Sequence, residues 1–419
     1  MKPITTIIIG AGQRGRIYTD YALRNPGKLK VVGVAEPSDV LRNEFTEKHS
    51  IPAENCFASW EGVLKREKFA DTVMICTQDK MHFAPAMAAI DKGYDILLEK
   101  PISPSPEECF AIADAAEKKG VRIVVCHVLR YTPFFTELKS IIDSGEIGEI
   151  ASVVHNENVG DIHHSHSFVR GNWGNSDKSS PMILQKCSHD TDIMQWLIGK
   201  KCLRLSSFGS LKYFNKDNRP DGAPPRCTDG CEHDCPYDAR KIYLEDITGQ
   251  GKAWFRPVAA ECSDPTDEQV EAALKTGPYG RCVFQCDNNV VDHQTINMEF
   301  EDGITALFSM CSFTLEGNRT IRIMGTKGEI KGNAEKNEIL ISNFLTRTER
   351  RIETEFVEGH IGHGGGDEGI MNTFCEYING EYTGNAISNA RVSAENHMIA
   401  FASERSRLNG GSAVEVGRG

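Results

Sequence analysis

Up to about residue 130, short unbroken apolar runs alternate with stretches whose apolar residues recur at helical spacing. ITTIIIG, LKVVGVAEP, ADTVMICT, DILLEKP and RIVVCHV are the apolar runs, and they predict buried strands. RGRIYTDYALRN, FAPAMAAIDKG and SPEECFAIADAAEKKG predict helices between them. Strand–helix alternation at this spacing implies βαβ units around a parallel sheet.

Beyond that point the rhythm changes. EIASVVHNENVG, CLRLSSFGSLKYF, VVDHQTINMEFED, GITALFSMCSFTLEG and NRTIRIMGTKGEIKG read as longer strands. Several alternate apolar with polar and are joined by turns such as EDGI and GTKGE, which predicts a large, mostly antiparallel sheet with one open face. Residues 214–281 are irregular and rich in Pro, Gly, Asp and Cys, and read as an insertion. Two helices are expected near 367–379 and 388–408. The expected organisation is α/β, with a dinucleotide-binding domain over 1–130 and an α/β domain over 131–419 that carries the insertion.

Composition narrows the function classes. Of the 419 residues, 40% are hydrophobic and 25% charged, as in a soluble globular protein with a real core. A net charge of −12 argues against a nucleic-acid surface and gives no basic membrane patch. The opening MKPITTIIIGAG does not read as a signal peptide, and no stretch approaches the ~20 apolar residues that span a bilayer. A cytoplasmic location is expected. The 14 cysteines then read as mostly reduced thiols, many of them buried.

GAGQRG sets Gly10, Gly12 and Gly15, with Gln13 and Arg14, between a strand and a helix, and Glu36 ends the next strand. That is the dinucleotide fingerprint in its structural context. Its glycines let backbone approach a pyrophosphate at the helix N-terminus. Glu36 can accept from both ribose hydroxyls and would repel a 2′-phosphate, which favours NAD; Arg42 keeps NADP open. In LLEKPIS, Glu99 and Lys100 end a strand at the carboxyl edge of the sheet, where ligands bind. The Lys100–Pro101 bond is a candidate for the cis form. The plainer reading of this pair is a surface ion pair beside a loop proline.

QKCSHDTDIMQWL (185–197) gathers Lys186, His189, Asp190 and Asp192 before an apolar helical face. On a helix, His189, Ile193, Trp196 and Leu197 share a side. Asp192 lies near His189, while Asp190 points about 100° away. The stretch makes a poor metal cage. A packed core histidine and a catalytic base remain as readings of His189.

Taken together, GAGQRG, CTQDKMHFAPAMAAIDKGYDILLEKP and LRYTPFF resemble the glucose–fructose oxidoreductase / inositol dehydrogenase (Gfo/Idh/MocA) family over nearly the whole chain. The resemblance implies a Rossmann domain that binds NAD(P) and a C-terminal α/β domain whose open sheet often mediates oligomer contacts. A homo-oligomer, dimer or tetramer, is therefore expected. It implies oxidation or reduction of one hydroxyl of a sugar, sugar acid or cyclitol. It places Lys100 between nicotinamide and substrate, Thr77 and His82 beside the nicotinamide ribose, Arg130 and Tyr131 at the domain junction, and His189 on the reacting hydroxyl. Many members carry an acid four positions before that histidine. Here Gln185 stands there, with Lys186 next to it, so how Lys186 and His189 share the proton is open.

Hydride transfer needs a base for the hydroxyl proton and a group that stabilises the developing alkoxide. Histidine suits the first role, and a lysine beside it suits the second and helps keep the histidine neutral. Lys100, His189 and Lys186 are the catalytic candidates. HHSHSFVRGNW (163–173) offers His166, Arg170 and Trp173 to a sugar, or is a polar loop with scattered histidines. Asp192 joins the substrate-binding candidates. GHGGGDEG (362–369) offers His363, with glycines that let backbone approach a ligand, or is a capping loop with Asp367 as N-cap.

Cys227, Cys231 and Cys235, with Cys282 or Cys286 as a fourth ligand, raise the possibility of a structural zinc in the insertion; packed thiols and a redox disulfide are the alternatives. Three functions fit the chain. They are an NAD-dependent dehydrogenase of a sugar, glycoside or cyclitol, an NAD-dependent glycosidase that oxidises its sugar transiently, and a non-catalytic dinucleotide sensor.

Overall fold

Strand β1 (Ile4–Ile9) is apolar throughout because both its faces are covered: Ile7 and Ile9 enter one hydrophobic cluster, Ile4 and Ile8 another. Around it lie β2 (Leu29–Ala35), β3 (Cys56–Phe57), β4 (Thr72–Ile75), β5 (Asp95–Leu98) and β6 (Ile123–Val125). They form a six-stranded sheet in the order β3-β2-β1-β4-β5-β6. Every pairing in it is parallel. This is the doubly wound arrangement of a Rossmann domain, with ligands expected off the carboxyl ends of the strands. The computed structural model describes residues 2–249, 254–315, 317–355 and 363–417.

The second sheet holds β7 (Ile150–Asn158), β8 (Cys202–Ser210), β9 (His293–Phe300), β10 (Thr305–Cys311), β11 (Asn318–Gly325), β12 (Gly328–Asn333), β13 (Glu338–Asn343), β14 (Glu349–Glu353) and β15 (Val414–Glu415). Its order is β14-β13-β12-β11-β7-β10-β9-β8-β15. It is antiparallel except where β7 meets β10 in parallel. In β9, Gln294, Ile296, Met298 and Phe300 point inward while Thr295 and Asn297 face out, so one side of the sheet is open. Strands β13 and β14 and the short β3 and β15 are elements the apolar pattern did not predict. β14, ERRIE, offers a single apolar residue to alternate on.

The insertion between β8 and β9 is less irregular than expected. It contains the helices Ala239–Tyr243, Arg256–Ala260 and Asp267–Thr276, the last opened by a Thr266/Gln269 capping box. Ala239, Ile242, Tyr243, Phe255, Val270, Leu274 and Tyr279 give it an apolar core of its own.

The two closing helices return to the first sheet. Gly366–Asn379 buries Ile370, Met371, Phe374 and Cys375 against the β1 side. Ala390–Leu408 inserts Ala390 and Ala394 into the first core and Ile399, Ala400 and Ala402 into the second. One helix thus belongs to both cores, which holds the carboxyl edge of the first sheet against the second domain.

Candidate active site

The glycine loop leaves β1 at Gly10, whose φ of +92° suits glycine, and a Cβ there would lie 2.7 Å from the Cys76 carbonyl oxygen. A Cβ on Gly15 would meet the Gly10 carbonyl at 2.2 Å, so helix and strand pack through it. Gly12 differs: nothing lies within 4 Å of its Cβ position. It caps the helix Gln13–Arg24 without a side-chain bond, and no acid sits in the first turn. The helix therefore offers free amides and its positive dipole end beside open space, which fits a dinucleotide pyrophosphate.

Glu36 anchors this loop. One carboxylate oxygen accepts from the Ala11 amide and the other from the Ser38 amide, both at 2.9 Å. Arg42 donates to the Glu36 carbonyl at 2.6 Å and pairs with Asp39. Thr77, after β4, donates to the Met81 carbonyl. His82 is buried, with Nδ1 2.7 Å from the Pro101 carbonyl and Nε2 2.9 Å from that of Thr77, so it ties the loops after β4 and β5 together. From the insertion, the Trp254 indole donates to Gln13 at 3.2 Å, and Ser263 bonds Arg16 and Glu44.

At the end of β5, the buried Glu99 carboxylate accepts from Arg14 Nε (2.9 Å), the Tyr18 hydroxyl (2.7 Å) and the Lys100 amide (2.8 Å). Burial opposes its ionisation, but Arg14 and Lys100 prevail and hold it below the usual carboxylate range. The Lys100–Pro101 bond is cis. Lys100 Nζ donates to the Gln185 carbonyl at 2.6 Å. Burial lowers the Lys100 ammonium from its ordinary value. Lys186 and Arg14 act in the same direction, and Glu99 and Asp79 oppose them.

His189 sits in the first turn of the helix Ser188–Ile198 and is 3% exposed. Burial pushes its imidazole well below the usual range, and Lys100, His363, His127 and Arg319 push the same way. Among the described residues no carboxylate bonds it, and its Nδ1 is buried without a partner. The ring lies 5.2 Å from that of His363 and 6.1 Å from that of His127. The structure thus gathers Lys100, His189 and His363 in one group, with His127 behind it.

Lys186 faces a charged floor. Its Nζ is 3.2 Å from Glu157 of β7, Glu157 is 2.7 Å from Arg319, and Arg319 and His155 each lie 2.8 Å from Asp190. Burial opposes ionisation of Asp190, yet Arg319 and His155 hold it well below the carboxylate range. Asp190 is therefore spent on the sheet.

Several expected substrate contacts are engaged elsewhere. Asp192 is fully buried and takes a bidentate bond from Arg130 at 2.7 and 2.6 Å and another from Asn396. Arg130 is thus neutralised inside the protein, and the Tyr131 hydroxyl lies beside Ser388, so these three residues brace the junction. His166 bonds the Tyr243 hydroxyl at 2.6 Å and stacks on Tyr279. Arg170 donates to the carbonyls of Arg281 and Tyr237. Trp173 packs against the second core. His166 and Arg170 fill the interior because the insertion, far away in sequence, supplies their partners. Asp367 caps nothing, since Gly365 is the N-cap, and Gly366 approaches the chain itself: its Cβ would lie 2.3 Å from the Val128 carbonyl. Gly362 lies outside the described residues.

The zinc expectation is not supported. Among the described residues no group of three His, Cys, Asp or Glu is placed to hold a metal ion. Cys227, Cys231, Cys235 and Cys282 line one cavity, but Arg170 lines it too, with a guanidinium nitrogen 3.6 Å from the Cys227 sulfur. A buried cation among these thiols disfavours a second one. The residues read from sequence also omit His127 and Asp79, and they give Asp367 only as a cap. His127 follows β6 at the carboxyl edge of the sheet, a position that marks it; Asp79, clamped by Ser179 and Ser180, carries no local signal.

The oxidoreductase-family profile for the Gfo/Idh/MocA NAD-binding Rossmann fold matches residues 4–127, and that for the family's C-terminal alpha/beta domain matches 139–358. The chain belongs to the Gfo/Idh/MocA oxidoreductase family. Another oxidoreductase, YteT of Bacillus subtilis (strain 168), is 24% identical over 350 residues, 78% of this chain and 77% of that protein. Inositol 2-dehydrogenase of Salmonella typhimurium is 26% identical over 194 residues, which cover 46% of this chain and 54% of that enzyme. Among solved structures, levoglucosan dehydrogenase in complex with NADH and levoglucosan superposes with a TM-score of 0.72 at 18% identity over 100% of both chains. An inositol dehydrogenase homolog complexed with NAD+ from Azotobacter vinelandii gives 0.71 at 16% identity, over 99% of this chain and 97% of that one. At these identities the superpositions speak for the fold. No helix among the described residues is long and apolar enough to cross a membrane.

Proposed function

We propose that this Gfo/Idh/MocA member is an NAD-dependent dehydrogenase of a secondary hydroxyl on a sugar, glycoside or cyclitol. The observation that carries the reading is the 2.6 Å bond from Lys100 Nζ to the Gln185 carbonyl, which joins the carboxyl edge of the Rossmann sheet to the segment that presents His189. Bound NAD supplies the hydride acceptor. Lys100 donates to the substrate oxygen and stabilises its developing charge. His189, kept neutral by burial, holds the same hydroxyl as a hydrogen-bond partner. The preference for NAD rests on Glu36 at the loop floor and on Arg42, whose guanidinium is already bonded to the Glu36 carbonyl and Asp39. The substrate class rests on the activities named for the inositol and levoglucosan dehydrogenases among its relatives.

A second reading is a glycosidase that oxidises its sugar transiently. It is favoured by the insertion, where Trp254 and Ser263 bond Gln13 and Arg16 and would retain a cofactor through repeated turnovers. A screen of sugars, glycosides and inositols that follows NADH formation and aglycone release together separates the two. NADH accumulation supports the dehydrogenase, and aglycone release without it supports the glycosidase. Neither signal from any compound rejects both.

A further inference from the structure

A neutral histidine without a carboxylate partner is a weak proton acceptor, and among the described residues His189 has no such partner. Gln185 stands four positions before it and presents its main-chain carbonyl to Lys100. The nearby carboxylates of Asp190 and Asp192 are bonded away from it, to Arg319 and Arg130. A histidine with a carboxylate does lie beside it. His363 Nδ1 is 3.3 Å from Asp367 Oδ2, and its ring centroid is 5.2 Å from that of His189.

We propose that His363, oriented by Asp367, is the residue that takes the proton of the reacting hydroxyl and passes it to solvent. The inference rests on the dehydrogenase reading above. As the substrate C–H bond yields its electron pair to nicotinamide C4 and C=O forms, the O–H proton moves to Nε2 of His363, and reduction runs the same steps backward. Three further observations support the assignment. The His363 side chain is 24% exposed, so it has a route to water that His189, at 3%, lacks. Asp367 is held by Arg14 at 2.5 Å, and Arg14 bonds Glu99, which accepts from the Lys100 amide. The acceptor and Lys100 are thereby fixed to one frame. That frame is rigid, because Gly366 and Gly369 press their helix onto the Val128 and Tyr131 carbonyls, where added Cβ atoms would lie at 2.3 and 2.4 Å. Asp367 is the positioning residue, and its carboxylate favours a proton on His363. Among the described residues, Arg14, Lys186 and His189 are the other charged or titratable groups that face it, and both cations disfavour that proton.

The test uses the full chain with NAD and the best substrate of the screen. His363→Gln should lower kcat by about 10²–10⁴-fold, the usual worth of a positioned acid–base group, while NADH affinity read by fluorescence stays within about twofold. Added imidazole should restore part of the rate to His363→Gly. Asp367→Asn should move the acidic limb of kcat to lower pH, and the His363 imidazole titration followed by NMR without substrate should move with it. Retained kcat in His363→Gln, or a limb and a titration that stay put in Asp367→Asn, overturns the proposal. If His363→Gln fails to fold, the Asp367→Asn limb and titration decide alone. A wild-type chain that reduces no nicotinamide with any compound defeats the dehydrogenase reading itself; turnover that survives in His363→Gln defeats only this one.

Discussion

The ammonium of Lys100 donates to the main-chain carbonyl of Gln185 at 2.6 Å, which joins two segments 85 residues apart. A substrate oxygen entering this group meets a cation that burial has already made readier to share its proton. Lys100→Met should lower kcat by about 10²–10³-fold, the scale of one lost charge-stabilising donor, with NADH affinity little changed. Steady-state kinetics beside a fluorescence titration of NADH checks this. Wild-type turnover in the variant contradicts it.

Glu36 holds the amides of Ala11 and Ser38, and the proposed preference for NAD rests on it. Glu36→Ala should weaken NAD and relieve repulsion of a 2′-phosphate, shifting the ratio of kcat/KM for the two cofactors toward NADP by about tenfold, or ~1.4 kcal/mol. Kinetics with both cofactors reads the shift.

The Arg130–Asp192 pair is buried on both sides. Asp192→Ala leaves an uncompensated guanidinium in the core and should cost about 3–5 kcal/mol in urea unfolding, whereas Arg130→Met with Asp192→Leu should recover much of that loss. Equal destabilisation by the single and the double variant contradicts this account of the pair.

Acid should destabilise the fold through its buried imidazoles. Burial pushes His127 down to about 4 and His397 down to about 3, from the usual 6.5. When the chain unfolds, both bind protons near 6.5. Between those values the unfolded state holds more protons, so stability rises with pH and is lost as pH falls from about 6.5 toward 4, on the order of 1–3 kcal/mol per histidine. Calorimetry across that window should show Tm falling on acidification, and His127→Gln should flatten the fall.

Much of this was readable because it is local. The isoleucines of β1, the spacing of Gly10, Gly12 and Gly15, and the Glu99-Lys100-Pro101 run each announce themselves within a few residues. His166 and Arg170 misled because their residue types suit a sugar pocket as well as a core. What decides between the two is Tyr243, Tyr279 and the Tyr237 carbonyl, supplied by the insertion. Asp367 read only as a helix cap because its partner, Arg14, is 353 residues away, and no spacing rule spans that distance. The insertion's helices were legible in retrospect, from the Thr266/Gln269 capping box and the Val270–Leu274 spacing.

The central claim is direct hydride transfer from a secondary carbinol at the Lys100–His189 group, and isotope transfer tests it most directly. A substrate from the screen, deuterated at the reacting carbon, is turned over with NAD, and the isolated NADH is examined by mass spectrometry and NMR. The account predicts deuterium carried to nicotinamide C4, one per NADH formed. NADH that forms without the label would contradict it.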